Sequence, residues 1–226
     1  MQDVLEAALT KIAGVPITVT AAGRTDRGVH ARMQIVHFDT EASRPESAWV
    51  RGVNALLPDA VAVIWSRAVD DQFHARYSAV ARTYRYALLN RPARPAIGAA
   101  HLGWFHLPLN VDRMREAAAF LIGEHDFSAF RSAECQAKTP VRTLHSLQIE
   151  YAGERIDFVL RANAFLHHMV RNIVGALVYV GKGKHPPRWV RELLDSKDRS
   201  RGAPTFGPEG LYLERIEYEA KWNLPQ

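Results

Sequence analysis

The order of strand-like and helical patterns in the C-terminal two thirds of the chain restricts its fold most. Segments rich in β-branched, aromatic or alternating apolar residues predict strands at about 82–89, 142–151, 155–163 and 211–218. Segments with apolar residues three and four positions apart predict helices at about 111–122 and 166–180, with a shorter helix at 187–196. Without the shorter helix, the order is βαββαβ. This is the split βαβ or ferredoxin-like unit, whose first strand lies centrally between the third and the fourth.

The N-terminal third repeats most of this order. The patterns predict a helix at 2–12, strands at 15–21 and 33–39, a helix from Pro45 to about 56, and a strand at 61–65. This αββαβ order lacks the opening strand of the unit, so we expect either a segment upstream of Met1 or another strand in its place. No linker separates the halves. We therefore predict an α+β fold in which two ferredoxin-like halves, 1–70 and 71–226, form one mixed, mainly antiparallel sheet with helices on one side.

A loop between the first two predicted strands carries the first candidate for chemistry. Asp26 lies between Arg24 and Arg27, and Gly23 and Gly28 permit tight turns. Two neighbouring cations would keep the carboxyl group ionised, as a nucleophile or an electrostatic catalyst requires. The simpler interpretation is a surface aspartate in a turn. Local spacing alone favours the turn.

Composition limits the partners and the compartment. A formal net charge of +5 favours a polyanionic partner without naming it. One cysteine, Cys135, excludes an intramolecular disulfide and predicts a reducing compartment. No apolar run reaches the roughly 18 residues of a membrane span, and the first residues do not resemble a secretion signal. The predicted location is the cytoplasm, with no membrane association.

Three further stretches suggest contact with RNA. Residues 73–77, Phe-His-Ala-Arg-Tyr, interleave aromatic rings with basic side chains, a combination that binds looped RNA. Tyr84 shares a strand face with Arg82 and could stack on a flipped base. Residues 166–172 open a helix whose histidines could meet a phosphate. The ordinary alternative for the aromatic residues is a place in the core. A metal site at these histidines is not expected, because no cysteine or carboxylate lies near them at ligand spacing.

Taken in order, these motifs resemble the TruA family of tRNA pseudouridine synthases. The resemblance rests on Gly23–His30, Phe73–Arg76, Arg82–Tyr86, Asn163–Asn172 and Glu209–Leu213, and extends from about residue 2 to 219. It implies cofactor-free isomerisation of uridine to pseudouridine at positions 38 to 40 of the tRNA anticodon stem-loop. It also implies a homodimer in which one tRNA contacts both subunits.

The resemblance further implies roles for single residues. Asp26 matches the catalytic aspartate, Tyr84 the tyrosine that stacks on the target uracil, and Arg24 the arginine linked to base flipping. Leu211 is expected to line the uracil pocket, and Arg44 is a looser match to an arginine that contacts tRNA. The segments expected to contact tRNA comprise Phe73, His74, Ala75, Arg76, Tyr77, Leu166, His167, His168, Met169 and Val170.

One departure from the family pattern leaves a second hypothesis open. Family members carry a Tyr-Asp-Gly…Gly-Trp-Gln strand ahead of the first helix, and this sequence has none before its first predicted helix. A tRNA-binding protein with impaired catalysis is therefore the alternative to an active synthase. A nuclease that uses Asp26 with His30 or His167 is a weaker third hypothesis.

Overall fold

A computed structural model describes residues 1–225 of the chain. In chain order the elements are α1 (Gln2–Ala13), β1 (Thr20–Ala21), β2 (His30–Ala31), β3 (Val36–His37), a π-helix (Ala48–Gly52), β4 (Ala79–Asn90), β5 (Gly103–Phe105), α2 (Val111–Ala119), β6 (Gly123–Asp126), β7 (Val141–Ala152), β8 (Arg155–Ala162), α3 (Met169–Gly181), α4 (Trp189–Ser196) and β9 (Leu211–Tyr218). Single-turn 3₁₀ helices lie at Ala99–His101, Ser128–Phe130, Arg199–Arg201 and Ala220–Trp222.

The chain forms two compact units that are discontinuous in sequence. Unit 1 comprises residues 1–24 and 34–79 and the segment that begins at Tyr218, and unit 2 comprises residues 25–33 and 80–217. The loop with Asp26 therefore belongs to unit 2, whereas Arg24 belongs to unit 1.

Unit 2 is built on a seven-stranded mixed sheet. Its strand order is β2-β9-β4-β8-β7-β6, and β5 pairs with β4. The β2–β9 and β4–β5 pairs are parallel, and the β4–β8, β8–β7 and β7–β6 pairs are antiparallel. As predicted, β4 is flanked by β8 and β9. The α+β class with a mixed, mainly antiparallel sheet is confirmed. In unit 1, β1 and β3 pair as a separate two-stranded sheet. Strand β2 instead pairs with β9 in the seven-stranded sheet of unit 2.

One face of the larger sheet is apolar and the other is charged. Ile156, Phe158 and Leu160 alternate along β8 and are fully buried in one cluster with residues of α2, α3 and α4. On the opposite positions Asp157 pairs with Arg85 of β4 at 3.1 Å. Because alternate residues of a strand point to opposite faces, this pattern directs the helices to one side of the sheet.

Unit 1 has less regular structure than its sequence predicts, because side chains take the backbone hydrogen bonds. The N–H groups of Ile17 and Val19 donate to Thr10 Oγ1 and Glu6 Oε1 of α1 at 3.0 and 2.9 Å, so the strand predicted at 15–21 is reduced to Thr20–Ala21. The strand predicted at 61–65 is absent. The Asn54 side-chain amide instead bonds both the N–H and the C=O of Val63, at 2.7 and 2.8 Å.

Unit 2 contains a strand that the sequence patterns did not predict, and one helix start differs. Gly123–Asp126 is strand β6, which pairs with the start of β7. The helix predicted from 166 begins at Met169, because His168 has a left-handed backbone conformation with φ 61°. Among residues 1–225, no helix combines the length and the apolar character that a bilayer crossing needs.

Candidate active site

A tight turn presents Asp26 at the edge of the unit 2 sheet. The Val29 N–H donates to the Asp26 carbonyl at 3.0 Å, and Gly28 adopts φ 83°. This left-handed conformation favours glycine, and a Cβ there would lie 3.0 Å from Pro208. Val29 is buried, and β2 follows directly at His30. The turn is thus anchored by a buried residue and a strand on one side of the carboxylate.

Three basic side chains from the start of α3 surround the Asp26 carboxylate. His167 Nε2 lies 3.1 Å from Oδ1, His168 Nε2 lies 3.2 Å from Oδ2, and Arg171 Nη1 donates to Oδ2 at 3.4 Å. The Asp26 side chain keeps 26% of its exposure, so solvent or a ligand reaches it from one side. A carboxylate held by a guanidinium and two imidazoles has fixed orientation.

The local conformation of the chain explains how two adjacent histidines reach one carboxylate. His168 is the N-cap residue of α3 in the left-handed region, and the two imidazole centroids lie 4.0 Å apart. Burial lowers the pKa of His168 below its ordinary value, and His167 and Arg171 lower it further, against the opposing effect of Asp26. His168 is therefore a neutral hydrogen-bonding group at pH 7.

Arg171 and Gly175 fix α3 against the segment before β9. Arg171 Nε donates to the Phe206 carbonyl at 2.7 Å, so one guanidinium joins that segment to Asp26. A Cβ at Gly175 would lie 2.6 Å from the carbonyl oxygen of Pro204. The missing side chain of Gly175 thus permits close packing of α3 against this segment. Arg171 lies inside the motif Asn163–Asn172, but the sequence pattern gave it no role of its own.

Tyr84 lies beside this centre on β4. Its ring packs edge-on against Phe165 with centroids 5.0 Å apart. Burial raises the pKa of Tyr84 to about 12, and the Asp26 charge contributes in the same direction. Its hydroxyl is neutral at any physiological pH. Leu211 is 6% exposed at the start of β9 and belongs to the core of unit 2.

Side chains in the second segment expected to contact tRNA are divided between core and site. Leu166, Met169 and Val170 are buried, at 4% exposure or less. His167 and His168 keep 31% and 25% of their side-chain exposure beside Asp26. Within 166–170, only these two histidines therefore present a side chain to a ligand.

The first expected segment shows the same division in unit 1. Phe73 and Ala75 are buried, and the Phe73 ring packs against Tyr218 and Trp222. His74 is half-buried and accepts the N–H groups of Arg76 and Tyr77 at Nδ1, both at 3.2 Å. Arg76 and Tyr77 are exposed. Tyr77, at 77% exposure, is the ring of this segment that is open to stacking.

The three arginines singled out from the sequence differ in exposure and in their printed contacts. Arg24 is exposed in unit 1, and Arg27 is exposed in unit 2. Arg44 donates from Nε to the Ile12 carbonyl at 3.0 Å and from Nη2 to that of Ala13 at 3.4 Å, which stabilises the last turn of α1. Arg171 is a cation in contact with Asp26, and the local Arg-Thr-Asp-Arg spacing did not predict this contact.

The fold places a carboxylate beside the two histidines, contrary to the reasoning from sequence spacing. Asp26, His167 and His168 offer ligand atoms that all lie within 4.8 Å of one another. These residue types can ligate a divalent transition metal ion. Arg171 contacts the same carboxylate as a permanent cation, which opposes a second positive charge there.

A cavity of about 500 Å³ lies elsewhere in unit 2. It is lined by aromatic rings, including Tyr86, Trp104 and Tyr179, and by Phe206, whose carbonyl accepts from Arg171. Neither Asp26 nor its two histidines line it. The Asp26 carboxylate, which keeps 26% of its side-chain exposure, therefore lies outside this cavity.

Comparison with known proteins places the chain in a family. The family described as tRNA pseudouridine synthase matches residues 1–78 and 117–219. A tRNA pseudouridine synthase A of Nitrosomonas eutropha is 58% identical over 225 residues, covering 100% of this chain and 81% of that protein. Proteins of the same name from Methylobacillus flagellatus and Thiobacillus denitrificans are 56% and 57% identical, over 86% and 87% of their lengths and 100% of this chain. With these matches spanning its whole length, the chain belongs to the tRNA pseudouridine synthase family.

Proposed function

We propose that this protein is a cytoplasmic, cofactor-free synthase that converts uridine to pseudouridine at positions 38 to 40 of the tRNA anticodon stem-loop. The observation that carries the proposal is the partly exposed Asp26 carboxylate, held by His167, His168 and Arg171 beside Tyr84. The family match and the names of the relatives support the reaction type and the substrate. The resemblance to the family supports the positions and a homodimeric assembly.

The reaction needs a group that assists cleavage and re-formation of a glycosidic bond. The N1–C1′ bond breaks, the uracil turns, and a C5–C1′ bond forms; C5 then loses its proton and N1 gains one from solvent. No electrons are gained or lost in total. The Asp26 carboxylate is suited to attack the base or the sugar carbon, or to stabilise the departing uracilate.

Access to the target requires the base to leave its stack. Flipping a nucleotide costs a few kcal/mol, and stacking on an aromatic ring returns about 1–3 kcal/mol. Tyr84 is the ring beside the carboxylate, and the Asp26 charge acts on its hydroxyl. We assign the stacking role to Tyr84 and the intruding role to Arg24, which is exposed at the end of the first segment of unit 1.

Release of tritium from tRNA labelled at uridine C5 tests the proposal directly. The full chain should release label from unmodified tRNA, and mapping of the product should place pseudouridine within positions 38 to 40. The tRNA should stay intact, which separates isomerisation from the nuclease alternative. A folded protein that binds tRNA without releasing label would support the binding-only alternative instead.

A further inference from the structure

The turn between α3 and α4 is a basic segment that the proposed catalytic centre does not use. Residues 182–188, Lys-Gly-Lys-His-Pro-Pro-Arg, contain three permanent cations and no acidic residue. We call these seven residues the basic turn. Gly183 has φ 79°, and the Lys184 N–H donates to the Tyr179 carbonyl at 3.0 Å, so the turn folds back on the last turn of α3.

Three stacked rings hold the basic turn in one conformation. The His185 ring packs against Tyr179 of α3 and Trp189 of α4, with centroids 6.1 and 4.1 Å away and interplanar angles of 26° and 14°. The Tyr179 and Trp189 centroids are themselves 6.4 Å apart, so each ring contacts the other two. Stacking of this kind fixes the path of the backbone between the two helices. The cations of the turn are therefore displayed on a rigid support.

The two lysines of the basic turn converge on one aromatic ring. Lys182 Nζ lies 4.2 Å and Lys184 Nζ 4.3 Å from the centroid of Tyr179. Within residues 1–225, neither ammonium group forms an ion pair with a carboxylate. Two like charges held close together without an anion create a strong local positive potential.

The rest of the basic turn adds to this potential. Arg188 keeps 79% of its side-chain exposure and is 3.6 Å from Glu192, so its charge is only partly compensated. Burial lowers the pKa of His185, with Lys184 and Lys182 acting in the same direction and Glu192 opposing them. The histidine acts as a neutral ring at pH 7, and the charge of the turn comes from Lys182, Lys184 and Arg188.

The basic turn lies far from the reacting carboxylate within the same unit. Helix α3 has 13 residues between the histidines at its start and Lys182 after its end, which corresponds to about 20 Å at 1.5 Å per residue. A group at this distance does not touch a uracil bound at Asp26. It is, however, within reach of the same RNA molecule.

We propose that the basic turn binds the phosphate backbone of the tRNA at a point remote from the target uridine. The inference rests on the proposed function for its polyanionic partner. Two neighbouring lysine ammonium groups with no carboxylate partner can each bind a phosphate of a nucleic acid backbone. Each such contact releases counterions from the RNA, which favours binding. An acidic protein surface is the competing partner for such a patch, and the test distinguishes it.

The test measures binding of unmodified tRNA by fluorescence anisotropy between 50 and 300 mM KCl. In the double variant Lys182→Gln/Lys184→Gln, we expect binding several-fold weaker at 100 mM salt. The slope of log K against log salt should fall by about 0.7 to 0.9 for each lost contact. The variant Lys182→Arg/Lys184→Arg should keep the wild-type slope, because it retains both charges.

A matched control removes two lysines elsewhere. Lys11→Gln/Lys221→Gln lowers the net charge equally, and Lys221 also lies over a ring, 5.1 Å from that of Trp222. A Lys182/Lys184 variant that stays folded by circular dichroism and binds tRNA no more weakly than this control would overturn the inference. Unchanged tRNA binding with a lower oligomeric mass would also overturn it, in favour of an acidic protein partner. In either case the proposed function would stand, because it is tested by tritium release and by Asp26.

Discussion

The Nε2 atom of His167 lies 3.1 Å from Oδ1 of Asp26, although 141 positions separate the two residues. His168 Nε2 lies 3.2 Å from the other oxygen, so adjacent residues hold both oxygens of one carboxylate. This arrangement requires the left-handed conformation of His168. The histidines therefore orient the carboxylate in addition to any contact with RNA.

Replacing these histidines should lower the rate of the reaction more than the affinity for tRNA. We expect His167→Gln and His168→Gln each to reduce kcat by about tenfold, because a carboxylate with one partner fewer is less well oriented. Single-turnover pseudouridine formation and tRNA binding, measured on the same preparations, separate the two effects. A loss of affinity with an unchanged single-turnover rate would indicate that the histidines only contact RNA.

Close packing of α3 predicts a strong effect of one methyl group. Gly175→Ala places a Cβ 2.6 Å from the backbone oxygen of Pro204. A backbone atom cannot move aside as easily as the end of a flexible side chain. We expect a loss of about 1–3 kcal/mol in the free energy of unfolding, as in other overpacked interiors. Gly52→Ala is the control, since its Cβ would meet only the flexible end of Ile12 at 3.0 Å. Urea denaturation of both variants should show the difference, and equal midpoints would contradict this packing account.

The thiol of Cys135 should react at lower pH than an ordinary cysteine. Burial raises its pKa, but hydrogen bonds from the backbone of Ala137 and His167 and the charge of Arg131 outweigh burial and lower it. The rate of alkylation by iodoacetamide should therefore rise with a midpoint below the usual value of about 8.5. Because the chain has one cysteine, the labelling is unambiguous. A midpoint at or above the usual value would contradict the hydrogen bonding described.

Alkylation should also slow catalysis. The Cys135 sulfur accepts the His167 N–H at 3.4 Å, so a bulky adduct displaces the backbone that carries this histidine. Single-turnover activity should fall in proportion to the labelled fraction, while Cys135→Ala resists the reagent. Full activity after complete labelling would show that this contact does not position His167.

Acidification should destabilise the protein through its partly buried histidines. The pKa of His185 is lowered in the folded state, chiefly by burial, so below about 6.5 the unfolded chain binds a proton that the folded chain does not. The neutral His185 ring therefore contributes its full stability above about pH 6.5, the pKa of histidine in the unfolded chain. This stability is lost as the pH falls from about 6.5 towards the lower pKa that His185 has in the folded protein. The urea midpoint of His185→Gln should fall less between pH 7 and 5 than that of the wild type; parallel curves would contradict the assignment.

Sequence patterns predicted the strands whose backbone N–H and C=O groups hydrogen-bond to the backbone of a neighbouring strand. Ile156, Phe158 and Leu160 alternate in the sequence, and β8 has the predicted face buried. The strand expected at 15–21 was mostly lost because Glu6 and Thr10 take the N–H groups of Val19 and Ile17. Such long-range side-chain bonds leave no periodic signal in the sequence.

The same limit applies to the candidate site. The motif with Asp26 was recognised, but its nearest cations were expected to be the sequence neighbours Arg24 and Arg27. Arg171 contacts the carboxylate from a distant part of the sequence, and its place next to Asp26 depends on tertiary packing of α3. The family resemblance singled out residues of the candidate site, and the fold shows which of them lie in contact.

The proposed function assigns the chemistry to the Asp26 carboxylate. Asp26→Asn preserves the size of the side chain and leaves acceptor and donor atoms for His167 and Arg171, but removes the negative charge. We predict that this variant stays folded, binds tRNA with near wild-type affinity and releases no tritium from tRNA labelled at uridine C5. Tritium release at more than a few per cent of the wild-type rate, from a preparation free of wild-type enzyme, would contradict the account.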